Sequence, residues 1–306
     1  MRRHAIRALA LACLLSLAAC SAGTDTRKPA GVAQPHAPYL GLAAVSARQL
    51  PPSAAQLGRR PNLVEVYRTF GEPFSAAHAP QIMAYGALPL IQLNPYRTSL
   101  SAIAAGRDDG YLRRFAAGIR HLRYPVAISF AAEANGSWWP WSCSHASGTV
   151  FIAAWRHIHD VMTPASGNRI IWVWDVNRVF PGSCPLAALW PGAGYVTWVG
   201  VDGYWRSPGD TFATALAPTI IEVRGFTSKP ILIAETGAPK GPAAPGWIQS
   251  LFTGAEVTPG VIGVVWFDHQ SAHGDYRLED DPAALAMFRR EARSYGASPR
   301  NVDPRP

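Results

Sequence analysis

Residues 231–239 read ILIAETGAP: four apolar residues in a row, then a glutamate, then a glycine and a proline within four positions. Successive side chains of a strand point to opposite faces, so an unbroken apolar run needs apolar cover on both. That is the pattern of a parallel sheet buried between layers, where alternation is not expected. Residues 170–174 (IIWVW) and 198–201 (WVGV) repeat it.

Working outward, strand-like runs recur at 39–45, 62–67, 88–93, 125–130, 169–174, 196–201, 231–234 and 261–267, with helical stretches between them. Phe151, Trp155, Ile158 and Met162 fall on one helix face, and Leu112, Phe115 and Ile119 form a similar stripe after Asp108 and Asp109, which are candidate N-caps. Asp281-Pro282 opens a last helix that runs through Leu285 and Phe288 to about Arg293. Strand and helix alternate eight times without an internal sequence repeat, which predicts an α/β fold: a (β/α)₈ TIM barrel forming a single domain over 37–296. The rival is an open doubly wound sheet, but no glycine-rich phosphate turn follows the first strand.

Barrels carry their chemistry at the C-terminal ends of the strands. Strand four runs into residues 128–141, ISFAAEANGSWWPW, where an apolar run meets Glu133 and then a turn-rich loop holding Asn135, Trp138, Trp139 and Trp141. Strand seven ends in Glu235, strand six in Asp202-Gly203-Tyr204-Trp205, and strand eight in Trp266-Phe267-Asp268-His269. Two glutamates facing one mouth suit a glycosidase, in which one carboxyl protonates the leaving oxygen and the other attacks the anomeric carbon. Tyr204 is placed in sequence to donate to Glu235, and the tryptophans offer flat faces to sugar rings. A single strand-end glutamate is more often a salt-bridge partner, and a tryptophan is more often core. The weight therefore rests on the constellation.

Other chemistries fit worse. There is no Gly-x-Ser-x-Gly elbow, and His157 and His159 stand two residues apart on a helix outside any HExxH pattern, so no metal site and no cofactor are expected. The formal charge of +8 is carried almost wholly by dispersed arginine, with Lys28, Lys229 and Lys240 the only lysines, and no basic run interleaved with aromatics points to nucleic acid.

At the N-terminus Arg2, Arg3 and Arg7 precede an apolar run over 8–17 and the small residues before Cys20, which reads as a secretory leader over 1–19. Residues 17–20, LAAC, resemble the bacterial lipobox, so Cys20 is expected to be lipidated, making the protein an exported, membrane-anchored lipoprotein at the cell surface or in the periplasm; ordinary cleavage with no lipid is the alternative. Residues 20–36 read as a flexible tether and 297–306 as a disordered tail. Without Cys13 and Cys20, only Cys143 and Cys184 remain, and an even pair in an exported protein suggests a disulfide rather than two free thiols.

These residues together resemble glycoside hydrolase family 26, whose best-known members are β-mannanases. The family's acid/base motif is similar to residues 132–141, AEANGSWWPW, with Glu133, Asn135, Gly136, Trp138, Pro140 and Trp141 matching. Its fifth strand is similar to IIWVWDVN, its approach to the sixth to residues 190–205, its nucleophile strand to ILIAETG and its eighth strand to VVWFD. The resemblance implies a barrel with the acid/base, Glu133, on strand four and the nucleophile, Glu235, on strand seven. It further implies hydrolysis with retention, no metal, and Trp266 as the floor of the −1 sugar subsite. Asn135, Trp138, Trp141, Asp202 and Trp205 are the expected substrate contacts, and the partner is a polysaccharide or oligosaccharide bound by a monomer.

The chain departs from the family at two places: Ala132 stands where the family has a histidine, and Ala134 where it has a methionine. In related enzymes the residue before the acid binds the sugar at the cleavage subsite, a bond that a methyl group cannot make. Three outcomes are open: another polar side chain such as Arg68, Asn94, Tyr96 or His145 reaches the same spot, the natural substrate lacks or modifies that hydroxyl, or the enzyme is slow.

Overall fold

The computed structural model describes residues 37–43 and 57–296, and in it eight parallel strands close into a barrel. The leader over 1–19, Cys20 with its tether to 36, and the tail from 297 lie outside the described residues. The strands are β1 (Tyr39–Ala43), β2 (Leu63–Thr69), β3 (Leu88–Asn94), β4 (Val126–Phe130), β5 (Ile170–Asn177), β6 (Trp198–Asp202), β7 (Ile231–Thr236) and β8 (Val261–Phe267). Closure comes from β1 pairing with β8, where Tyr39 stands opposite Gly263 and Ala43 opposite Phe267.

Helices cover the outside: α1 (Ala79–Tyr85), α2 (Leu100–Ala104), α3 (Asp109–Arg120), α4 (Gly148–Ala165), α5 (Ala217–Arg224), α6 (Ala244–Val257) and α7 (Pro282–Ser294). The apolar stripe of α4 buries Phe151, Trp155, Ile158 and Met162, and that of α3 buries Leu112, Phe115 and Ile119. Asp281 caps α7 by accepting the N–H groups of Ala283 and Ala284. Asp108 stands at the N-cap position of α3 without capping it, because its carboxylate takes the Thr98 hydroxyl instead. Among the described residues no helix is long and apolar enough to cross a membrane.

The core has two compartments. One lies between the strands and the helices, and the other fills the barrel with Leu63, Leu90, Ala127, Val173, Trp198, Leu232 and Val265. Followed along each strand at a spacing of two, the inward residues turn from apolar to polar toward the mouth. On β2 the order is Leu63, Glu65, Tyr67; on β3 it is Leu90, Gln92, Asn94; on β5 it is Val173, Asp175, Asn177. The barrel is thus packed below and lined with hydrogen-bonding groups above. Gly200 on β6 belongs to this layer: a Cβ there would sit 2.4 Å from Asp175 Oδ1, so only glycine leaves room for that carboxylate.

β4 ends where the sequence reading has it, three residues before Glu133. The strand stops at Phe130, and Ala131 and Glu133 adopt left-handed φ angles of 50° and 58°. The chain still pairs with both neighbours, Ala131 N–H with Leu93 and Glu133 N–H with Asp175. Such a conformation costs about 1–2 kcal/mol for a non-glycine residue, and strain of this kind concentrates at functional sites.

Candidate active site

A cleft of about 1020 Å³ opens at the C-terminal mouth of the barrel, and Glu133 and Glu235 both line it. Its walls come from β2 (Tyr67, Arg68), β3 (Gln92, Asn94), the loop after β4 (Trp138, Trp139), β5 (Asn177), the loop after β6 (Tyr204, Trp205, Arg206) and the segment after β8 (Phe267, His273, Tyr276). A second groove, about 450 Å³ and open, lies beside Cys184. Its one carboxylate, Glu222, already accepts the Leu186 N–H, so it offers no pair of titratable groups.

Three N–H donors meet on Glu133. Trp138 and Trp139 give their indole N–H groups to Oε2 at 2.8 and 3.0 Å, and Asn177 Nδ2 lies 2.5 Å from Oε1. Three features hold these donors in place. Trp138 stacks on Phe180 with ring centroids 5.8 Å apart, and Trp139 stacks on Trp141 at 5.3 Å. Asn135 and Asn177 exchange two bonds, Asn135 Nδ2 to Asn177 O at 2.8 Å and Asn177 N–H to Asn135 Oδ1 at 2.9 Å. Cys143 and Cys184 form a disulfide that ties the loop after β4 to the loop after β5.

Glu235 is held by two phenols. Tyr204 donates to Oε1, and Tyr67 donates to Oε2 at 2.5 Å. Burial and then the neighbouring charge of Glu133 push its pKa up to about 7, against the pull of the two phenol donors. Beneath it lies a layer of buried acids. Burial, with the charges of Glu235 and Asp175 adding to it, pushes Glu65 well above the usual carboxylate range. Asp175 rises to about 8, mainly through burial, while a hydrogen bond with Asp202 pulls the other way. Asp202 is raised by burial and by the charge of Asp175. Burial and the charge of Asp175 thus disfavour ionisation of both carboxyls at once.

Of the residues singled out in the sequence, the cleft contains Glu133, Glu235, Tyr204, Trp138, Trp139 and Trp205, together with Arg68, Asn94 and Tyr96. Four expected sugar contacts are instead buried behind its wall, and each has a structural reason. Asn135 clamps Asn177; the indole of Trp141 donates to Ala132 O at 2.8 Å; that of Trp266 donates to Tyr276 O at 2.9 Å; and Asp202 sits against Asp175 with no exposed surface. His157 and His159 pair with Asp109 and Asp160, and neither lines the cleft. Sequence reading missed Tyr67 and Asn177, although both stand at the polar end of an inward-facing strand register, a signal that becomes readable once strands and facing are assigned.

The profile described as Glycosyl hydrolase family 26 matches residues 100–238, a span that holds both Glu133 and Glu235. Endoglucanase H of Acetivibrio thermocellus is 29% identical over 258 residues, which cover 79% of this chain and 28% of that protein. A mannan endo-1,4-beta-mannosidase of Bacillus subtilis is 27% identical over 150 residues, 42% of this chain and 40% of that one. The chain thus spans well under half of the length of either relative. The endo-beta-1,4-mannanase of Cellulomonas fimi has the same barrel, with a TM-score of 0.67 at 15% identity over 88% of this chain and 72% of that chain. The matched segment and the relatives make this chain similar to glycosyl hydrolase family 26, and it shares the barrel of the solved mannanases.

Proposed function

We propose that the chain is a retaining glycoside hydrolase that cuts a β-linked polysaccharide internally, with β-1,4-mannan as the first substrate to try. The observation that carries this reading is the pair Glu133 and Glu235: two carboxylates from different strands open on one aromatic-walled cleft, one held by N–H donors and the other by phenols.

In the first step Glu133 gives its proton to the glycosidic oxygen as Glu235 attacks the anomeric carbon, forming a glycosyl ester and releasing the leaving chain. Asn177 uses one lone pair of Glu133 Oε1, and the other can carry that proton. In the second step Glu133, now a carboxylate stabilised by its three donors, takes a proton from water, and the water oxygen displaces Glu235. Tyr204 and Tyr67 orient the two oxygens of Glu235 and keep it ionised for attack.

The mannan assignment rests on the mannosidase relatives; the endoglucanase relative makes β-glucan the second substrate to try. The purified protein is expected to release oligosaccharides from one of these polymers, and Glu235→Ala to lower kcat by about four orders of magnitude. No turnover on a broad β-glycan panel between about pH 4 and 8 would overturn the reading. Saturable binding without cleavage would replace it with that of a carbohydrate-binding barrel.

We infer further that the protein is exported and anchored through a lipid on Cys20, on the strength of the charged, apolar and small-residue order before it. Labelled fatty acid should be incorporated by the wild-type chain and not by Cys20→Ser; equal labelling of the two would exclude the anchor.

A further inference from the structure

Ala132 is 1% exposed and does not line the cleft, so this position cannot supply the sugar contact that a histidine there would make, and another element is where a substitute contact is to be sought. Of the four side chains within sequence reach, His145 lies outside the cleft, while Tyr96 and Arg68 line it, Arg68 with a buried Nε that has no partner among the described residues and can only donate. His145 holds Nε2 3.3 Å from Ser137 O. Tyr96 stands at the rim, edge-on to Trp139 and Trp141. Arg68 gives Nη1 to the carbonyl of Tyr67 and is drawn to the charge of Glu72.

Asn94 is different. It is the last residue of β3, lines the cleft and is only 4% exposed. Its Nδ2 donates to Gln92 Oε1 at 2.8 Å, and Gln92 Nε2 in turn reaches Glu65 Oε1 at 3.5 Å. Gln92 thus turns its amide nitrogen toward Glu65 and its oxygen toward Asn94. Asn94 is thereby fixed with its own nitrogen occupied. Its Oδ1 is buried and has no protein partner. A buried acceptor is normally satisfied, and one left open in a cleft is a place for a ligand donor.

We propose that Asn94 Oδ1 accepts a hydrogen bond from a hydroxyl of the sugar bound over Glu235, and that the Glu65–Gln92 chain sets the amide in the accepting orientation. This rests on the glycanase reading above. Because the site offers only an acceptor, it selects a sugar whose hydroxyl at that position is free, and it rejects an ether, an ester or a missing hydroxyl. It is also a contact formed from the neighbouring strand, independent of the histidine that Ala132 replaces.

The test is a coupling measurement on aryl β-mannooligosaccharides, each lacking one free hydroxyl on the sugar beside the scissile bond, read both as kcat/KM and as affinity by calorimetry. For one analogue the wild-type protein should lose about tenfold, the worth of one hydrogen bond. Asn94→Ala should lose about tenfold on the parent sugar and show no further loss on that analogue. Additive losses on every analogue would overturn the assignment.

Gln92→Leu keeps Asn94 and frees its amide to turn, so the penalty for the same analogue should shrink to within about threefold; an undiminished penalty would overturn the orienting role of the chain. It also serves if Asn94→Ala does not fold. Should the protein neither bind nor cut any mannoside, the mannan reading fails first. The same series on cello-oligosaccharides then decides Asn94 separately: coupling there supports it, and additivity overturns it.

Discussion

At Glu235 burial and the charge of Glu133 oppose the two phenols, and the balance leaves the pKa near 7. The group must be ionised to attack, so activity falls as the pH drops through that value. Tyr67→Phe or Tyr204→Phe removes a donor to the charged form, the pKa rises further, and the acid limb of kcat/KM moves to higher pH by about one to two units. A pH profile of each variant checks this; an unmoved limb would mean that the phenols do not hold the nucleophile. At this scale the sequence was partly readable. Glu133, Glu235 and Tyr204 could be found because they interrupt apolar strands or follow them directly. Tyr67 could not, because a tyrosine in an apolar run looks like core until its facing is known.

The loop after β4 owes its shape to the loop after β5. The Cys143–Cys184 disulfide, the reciprocal Asn135–Asn177 bonds and the Trp138–Phe180 stack all join the same two loops, and every one of them bears on a donor to Glu133. The cysteines lie 41 residues apart, and a loop of that size is worth about 4 kcal/mol in the chain-entropy account of disulfides. The Cys143→Ser/Cys184→Ser double variant should therefore unfold at lower denaturant concentration, and kcat should fall severalfold as Trp138 loosens. Equilibrium unfolding with and without reductant tests the first part and turnover the second. Pairing of the cysteines was expected from their number, whereas their role in bracing Glu133 follows from two loops that are distant in sequence meeting at adjacent strands.

For the whole molecule, the layer of acids under the cleft makes stability depend on pH in an unusual direction. Glu65, Asp175, Asp202 and Glu235 all have folded pKa values above their ordinary ones. Below about pH 4 both folded and unfolded chains hold these protons and the groups contribute nothing. As the pH rises, the unfolded chain releases protons that the folded chain keeps, so stability declines continuously to about pH 8, near the value for Asp175. Asp275, held down to about 2 chiefly by its hydrogen bond with Arg277, has the opposite sign, but its contribution is lost only at more acid pH. Thermal unfolding at about pH 5 should give a higher midpoint than at about pH 8, and Asp175→Asn should flatten the difference. A midpoint that rises over this range would contradict the assignment.

The amino-acid sequence by itself determined the barrel, the order of its elements and the two strands that carry Glu133 and Glu235, because apolar runs and helical stripes are local patterns that fix burial whatever the neighbours are. Tertiary structure decided what each polar residue near the mouth does. Asp202, Asn135, Trp141 and Trp266 sit as close in sequence to the mouth as Tyr204 and Trp138, yet they are buried behind the wall. Whether a strand-end side chain meets sugar or packing depends on the tilt and closure of eight strands, and on where β4 breaks from its ladder. The accepting face of Asn94 has the same origin: three residues, Glu65, Gln92 and Asn94, acquire a direction only when β2 and β3 lie side by side.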